Sequence, residues 1–172
     1  MSTGQEKWLL REAEDGDFPR LGELEQLCFS DPWSEASLRS GAAAPGTVRV
    51  LTEADGGRIL GYTVTRRILD EAELLRIGVD PTERGKGLGK QLLDAFLEEE
   101  ARLTGVINEL MEMVPENPLE KVTQVHISLD VRVGNAPAIA LYEHAGFRKV
   151  ARMKNYYSGP TEDGLRMVKE LC

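Results

Sequence analysis

The stretch Glu71 to Phe96, "EAELLRIGVDPTERGKGLGKQLLDAF", restricts the fold more than any other part of this 172-residue chain. Its hydrophobic period changes from two to 3.6 across a short glycine-rich segment. Before the glycines, Leu75, Ile77 and Val79 alternate, which predicts a strand with these three side chains on one face. After Gly85, Gly87 and Gly89, the residues Leu88, Leu92, Leu93, Phe96 and Leu97 recur at helical spacing and predict a helix with one apolar stripe for a sheet. A strand that enters a helix through so tight a turn is the unit of α/β folds, and glycines at that junction commonly let backbone amides meet a phosphate.

The flanking sequence supplies the rest of the sheet. Strands are predicted near Trp8 to Ala13, Thr47 to Glu53 and Ile59 to Ile68, the last two joined by "ADGGR", whose Asp-Gly-Gly favours a hairpin. Helices are predicted near Phe18 to Phe29 and from the N-capping residue Ser34. Val122 to Val131 reads as a further strand, with Val125, Ile127, Leu129 and Val131 on one face and His126, Ser128 and Asp130 on the other. "GNAPAIALYEHAGF" reads as a helix capped by Asn135, with Pro137 in its first turn and Gly146 past its end. Phe147 to Tyr157 and Leu165 to Leu171 form a closing antiparallel pair. The expected architecture is one α/β domain spanning residues 1–172: a mixed, mostly antiparallel sheet with a central parallel strand pair and flanking helices.

Two familiar phosphate loops do not fit. A nucleoside-triphosphate loop requires glycine where Arg84 stands and Ser or Thr where Gln91 stands; a dinucleotide fingerprint requires its last glycine where Lys90 stands. The pattern that fits is R-x-x-G-x-G, formed by Arg84, Gly87 and Gly89. It resembles the acetyl-coenzyme A loop of the GNAT superfamily of N-acetyltransferases. Taken with "LDVRVGNAPAIALYEHAGFRKVARMKNYY" and "FSDPWSEASL", the sequence is similar to the bacterial ribosomal-protein-alanine N-acetyltransferase family, from Cys28 to the end.

The resemblance implies acetyl-coenzyme A as co-substrate, with no metal, and a GNAT-type sheet. Backbone amides of Arg84, Gly85, Lys86, Gly87, Leu88, Gly89 and Lys90 would face the pyrophosphate, helped by the cations and the helix N-terminus. Backbone groups of Ile77, Gly78 and Val79 would hold the pantetheine arm, and Asn135 would contact the coenzyme as well as cap its helix. Tyr142 matches the family's general acid. The general base falls at Asp130, where the family commonly has glutamate; aspartate is one methylene shorter, so the distance or the number of bridging waters must differ. Glu73, on the neighbouring predicted strand, is the alternative base. Trp33, Tyr156 and Tyr157 are candidates for a peptide groove.

The acceptor implied is the N-terminal alanine of a small-subunit ribosomal protein. An α-amine has a pKa of roughly 7.7 to 8.0, so part of it is already neutral near pH 7 and a weak base suffices. Alternatives are another GNAT acceptor, such as a lysine side chain, a different N-terminus or a small metabolite, and a coenzyme-binding regulator without turnover. A formal net charge of −8 suits a basic protein partner and disfavours direct nucleic-acid binding. No apolar run is long enough to span a membrane and the start "MSTGQEKWLL" does not resemble a signal peptide, so a cytoplasmic location is expected. Cys28 and Cys172 have no partner spacing for a metal site. Thr104 to Lys121 is longer than the usual family connection; Val106, Ile107, Leu110, Met111 and Val114 are expected to extend the helix as far as Pro115, covering the edge of the site or a subunit contact.

Overall fold

A computed structural model describes residues 7–114 and 121–172. Its elements in order are β1 (Trp8–Glu12), a 3-10 turn (Asp15–Asp17), α1 (Phe18–Cys28), α2 (Glu35–Ala42), β2 (Gly46–Glu53), β3 (Ile59–Ile68), β4 (Glu71–Val79), a second 3-10 turn (Pro81–Glu83), α3 (Leu88–Glu112), β5 (Val125–Arg132), α4 (Ala136–His144), β6 (Arg148–Tyr157) and β7 (Glu162–Leu171). The chain divides into two compact units, Met1–Arg66 with Leu75–Leu92, and Arg67–Leu74 with Leu93–Cys172. Both β4 and α3 run through the two units.

In the first unit the strand order is β1-β2-β3-β4. The β1–β2 and β2–β3 pairs are antiparallel. Gly56 takes a φ of +77° in the β2–β3 turn, where Asp55 accepts the Gly57 amide at 2.8 Å. Alternation sends Val50 and Ile59 to one face and Leu51 and Leu60 to the other. On the first face, Phe18, Leu21 and Leu24 of α1 and Leu38 of α2 join Val48, Val50, Ile59, Tyr62 and Val64. On the second, Leu51 and Leu60 pack with Leu88 and Leu92 of α3. Ser34 caps α2 by accepting the Ser37 amide at 3.1 Å, as its position predicts.

The one-face expectation for β4 is corrected here. Leu75 packs with the first cluster, whereas Ile77 and Val79 pack with the second. Arg76 follows Leu75 onto the first side, where it pairs with Glu25 of α1 at 3.1 Å. Leu75 and Arg76 both lie toward the first cluster, so the alternation breaks between them and Ile77 and Val79 fall to the other side. Gly78 therefore faces Tyr62, and a Cβ on it would lie 2.6 Å from the Tyr62 ring.

In the second unit the order is β4-β5-β7-β6. Glu71–Leu74 of β4 pairs parallel with β5, Glu73 lying opposite Ser128. The β5–β7 and β6–β7 pairs are antiparallel. The fold class is thus the predicted mixed, mostly antiparallel sheet with one parallel pair. β7, the last strand in sequence, is the inner member of the closing pair. Val125, Ile127, Leu129 and Val131 are buried, as the alternation predicts, together with Leu93 and Phe96 of α3.

β5 begins at Val125 rather than Val122. Asn108 of α3 holds Val122 outside the ladder, accepting its amide and donating to its carbonyl, each at 2.8 Å. The helix does extend through Val106, Ile107, Leu110 and Met111, and ends at Glu112; its expected stop, Pro115, lies outside the described residues. Leu110, Met113 and Val114 are exposed. No helix among the described residues is long and apolar enough to cross a membrane.

Gly78→Ala should test the packing on β4. The added methyl meets a rigid, buried ring, so an overpacking cost of about 1–3 kcal/mol is expected. Thermal unfolding should show a clearly lowered midpoint; an unchanged midpoint would mean that Tyr62 yields freely.

Candidate active site

The strand-to-helix turn forms as the sequence predicts, and its frame is built from charge pairs. Asp80 accepts the Thr82 amide at 2.9 Å and the Thr82 hydroxyl at 2.8 Å, fixing the 3-10 turn, and pairs with Arg20 at 2.7 Å. The Thr82 amide and hydroxyl bonds and the nearby arginines hold its carboxyl below the ordinary value despite its burial. Glu83 binds both Arg58 and Lys86 at 2.6 Å. The charge of Lys86 is therefore partly spent within the loop.

Gly85 and Gly87 adopt φ values of +79° and +80°, and an added Cβ on either would meet nothing within 4 Å. Conformation, not space, requires glycine at both positions. The first helical bond of α3 runs from the Gln91 amide to the Gly87 carbonyl at 3.1 Å. The amides of the residues before it point out of the helix's first turn and form donors at its positive end. Ile77, Gly78, Val79 and Arg84 to Lys90 all belong to the first unit. Cys28 donates its thiol to the Val79 carbonyl at 3.3 Å, and burial raises its pKa against the opposing influence of Arg84. Trp33 lies half-buried against the first cluster.

The remaining candidates lie in the second unit. Asp130 on β5 sits opposite Arg166 on β7, and the two make a bidentate pair with both contacts at 2.9 Å. Tyr156 of β6 donates to the same carboxylate at 2.8 Å. Arg132, two residues further along β5, bonds the Ser158 and Pro160 carbonyls and covers the Tyr157 ring at 4.6 Å. Burial raises the pKa of Asp130, but the bonds from Arg166 and Tyr156 and the charge of Arg166 outweigh it and leave the carboxyl below its ordinary range. Glu73, on the parallel neighbour of β5, acts electrostatically on the same Arg166.

Tyr142 on α4 is 5% exposed and meets Phe147 edge-on, with ring centroids 6.0 Å apart. Burial, followed by the charge of Tyr157, pushes its phenol pKa well up. Tyr142 therefore keeps its proton throughout the neutral range and can serve as a donor, not as a base. Asn135 caps α4 by accepting the Ala138 amide at 3.3 Å. Tyr156 and Tyr157 stand edge-to-face at 5.0 Å. Sequence reasoning missed Arg166 and Glu25; their signal is the cross-strand and helix-to-strand pairing, which no local spacing encodes.

In the first unit, the positive-φ glycines at the start of α3 leave backbone amides open to an anion. The profile described as acetyltransferase (GNAT) domain matches residues 46–149. The chain is 34% identical over 151 residues to the ribosomal protein bS18-alanine N-acetyltransferase of Escherichia coli K12, covering 88% of this chain and 86% of that one. It is 31% identical over 153 residues to the protein of the same name in Haemophilus influenzae, covering 89% and 90%. The crystal structure of the E. coli ribosomal-protein-S18-alanine N-acetyltransferase superposes with a TM-score of 0.72 at 30% identity, covering 95% and 93%. Ard1 from Thermoplasma volcanium, at 24% identity, shares the fold with a TM-score of 0.75 over 96% and 99%. The chain belongs to the GNAT acetyltransferase family.

Arg166→Gln should raise the pKa of Asp130. With the guanidinium gone, burial acts against the Tyr156 bond alone. A carboxyl-carbon NMR titration should show the Asp130 midpoint moving upward; a fixed midpoint would mean that Arg166 does not set the charge state of the site.

Proposed function

We propose that this GNAT enzyme transfers the acetyl group of acetyl-coenzyme A to the N-terminal α-amine of a protein, and that the acceptor is the N-terminal alanine of a small-subunit ribosomal protein. The observation that carries the acceptor is the 34% identity, over 88% of the chain, to an enzyme named for alanine of ribosomal protein bS18. The net charge of −8 supports a basic acceptor. The same reading makes residues 1–172 one catalytic domain in the cytoplasm, supported by a family match that runs through both compact units.

Each residue has a defined task under this reading. Donors at the start of α3 and the amides of Arg84 to Gly87 would bind the pyrophosphate. The backbone of Ile77 to Val79 would hold the pantetheine, with one amide polarising the thioester oxygen. The amine nitrogen forms a bond to the carbonyl carbon, the C–S bond breaks, and the Tyr142 phenol supplies a proton to the departing sulfur. A phenol transferring to a thiolate of pKa about 8.5 would run uphill in water. Burial raises the proton affinity of the phenol and of a thiolate released beside apolar surface alike, so it need not widen that gap, and the transfer is driven by the C–S bond breaking in the same step.

Asp130 is already committed to Arg166 and Tyr156 and is a weakened base. We assign the base role to Glu73, acting through water, and give Asp130 the task of holding Arg166 and Tyr156 for the acceptor. Glu73→Gln should lower kcat/KM about a hundredfold at pH 7, with a deficit that shrinks toward pH 9 as more of the α-amine is neutral without help. If Asp130→Asn shows that pH-dependent deficit and Glu73→Gln does not, the assignment reverses.

The function itself is tested by coenzyme A release and product mass with three peptides: a free-alanine ribosomal N-terminus, the same peptide blocked but carrying lysine, and one starting with methionine. Turnover confined to the first establishes the acceptor. Acetylation of lysine would place the enzyme among GNATs acting on other amines. Tyr142→Phe should lose at least about a hundredfold in kcat while still binding coenzyme. Bound coenzyme with no turnover in the wild type would leave a regulator.

A further inference from the structure

The connection from α1 to α2, Phe29 to Ser34, contains no regular hydrogen-bonded structure. Such a segment takes its shape from whatever holds it. Here that is one buried ion pair. Glu25, on the last turn of α1, is 0% exposed; the Arg76 side chain, on β4, is 10% exposed. One oxygen of Glu25 accepts the Trp33 amide at 2.7 Å and lies 3.1 Å from a guanidinium nitrogen of Arg76, and the other accepts the Tyr62 hydroxyl. Arg76 also donates to the Asp31 carbonyl at 2.7 Å. Its guanidinium carbon lies 4.1 Å from the Phe29 ring centroid and 5.1 Å from that of Trp33.

The pair thus contacts three of the six loop residues through backbone bonds or ring faces, and a core tyrosine as well. Its stabilising value alone does not account for it. A buried ion pair is commonly no more stabilising than apolar residues of the same size, and Arg76 Nε is buried without a hydrogen-bond partner. A planar guanidinium that bonds a carboxylate and a carbonyl while lying over two aromatic rings does, however, define one loop geometry, which lysine cannot reproduce.

We propose that Glu25 and Arg76 are positioning residues for the acceptor peptide: they set the Phe29 to Ser34 loop in the shape that receives the acceptor's first residues. This rests on the reading of Trp33 as part of the peptide groove of an N-terminal acetyltransferase. Arg76 directly precedes Ile77 to Val79 in β4, so a single strand carries both the acceptor loop's anchor and the backbone assigned to the donor.

The test is Arg76→Lys, which retains the charge beside Glu25 but removes the fork and the flat face. In a Trp8→Phe background Trp33 is the sole tryptophan, and acrylamide quenching reports its exposure without any substrate. The expected result is increased quenching, with the KM for the free-alanine peptide raised about tenfold and the KM for acetyl-coenzyme A unchanged. A loss confined to kcat, or an equal rise in both KM values, would make the pair merely structural and overturn the proposal, as would an unchanged peptide KM. If the wild type acetylates none of the peptides, the proposed function fails, and quenching alone decides whether the pair holds the loop: a rise supports it and no rise overturns it. Should Arg76→Lys not fold, Glu25→Gln with Arg76→Met leaves no buried charge and takes the same measurements.

Discussion

The change of face in β4 is the constraint on which the first unit depends. Had the period of two continued from Leu75, Arg76 would project toward Leu88 and Leu92 of α3, and its charge would lie in an apolar cluster without a partner. The break in alternation after Leu75 places it instead beside Glu25, and Ile77 and Val79 against the helix. The same shift aims Gly78 at Tyr62, where no side chain fits. The strand can then end in Asp80, whose amide bonds the Leu60 carbonyl at 2.8 Å and whose carboxylate starts the glycine turn.

Much of this was legible in local sequence. The glycine turn, the helix that follows it, the cap at Asn135 and the alternation of β5 depend on interactions within a few residues, and the observed elements agree. The face shift in β4 was not legible, because "ELLRIGV" satisfies an unbroken alternation almost as well. The partner that Arg76 meets there is a buried carboxylate about fifty residues away in the chain, at Glu25. Val122 was read as strand from its residue type; the competing bonds come from Asn108, on a different element. Composition could not place Arg166 opposite Asp130 either, because that requires β7 to lie inside β6.

The second unit shows how neighbours divide work between two carboxylates of similar chemistry. Asp130 accepts three side-chain donor contacts from two residues and is held ionised. Each added donor improves the carboxylate as an anchor and weakens it as a base, because a lowered pKa means lower proton affinity. Glutamate at the same position would extend its oxygens one methylene beyond the Arg166 fork, whereas aspartate is short enough to sit opposite it in register. The aspartate that sets this chain apart from its family pattern is thus matched by a partner on the adjacent strand.

The demand on that base is set by the acceptor's chemistry. With an α-amine pKa near 8, about a tenth of the acceptor is neutral at pH 7, so the intrinsic barrier from protonation is only on the order of 1.4 kcal/mol. A lysine amine near 10.4 would add more than three kcal/mol at roughly 1.36 kcal/mol per pKa unit. Under the proposed reading, in which Glu73 is the base and Asp130 an anchor, the α-amine asks that base for the smaller of these two increments.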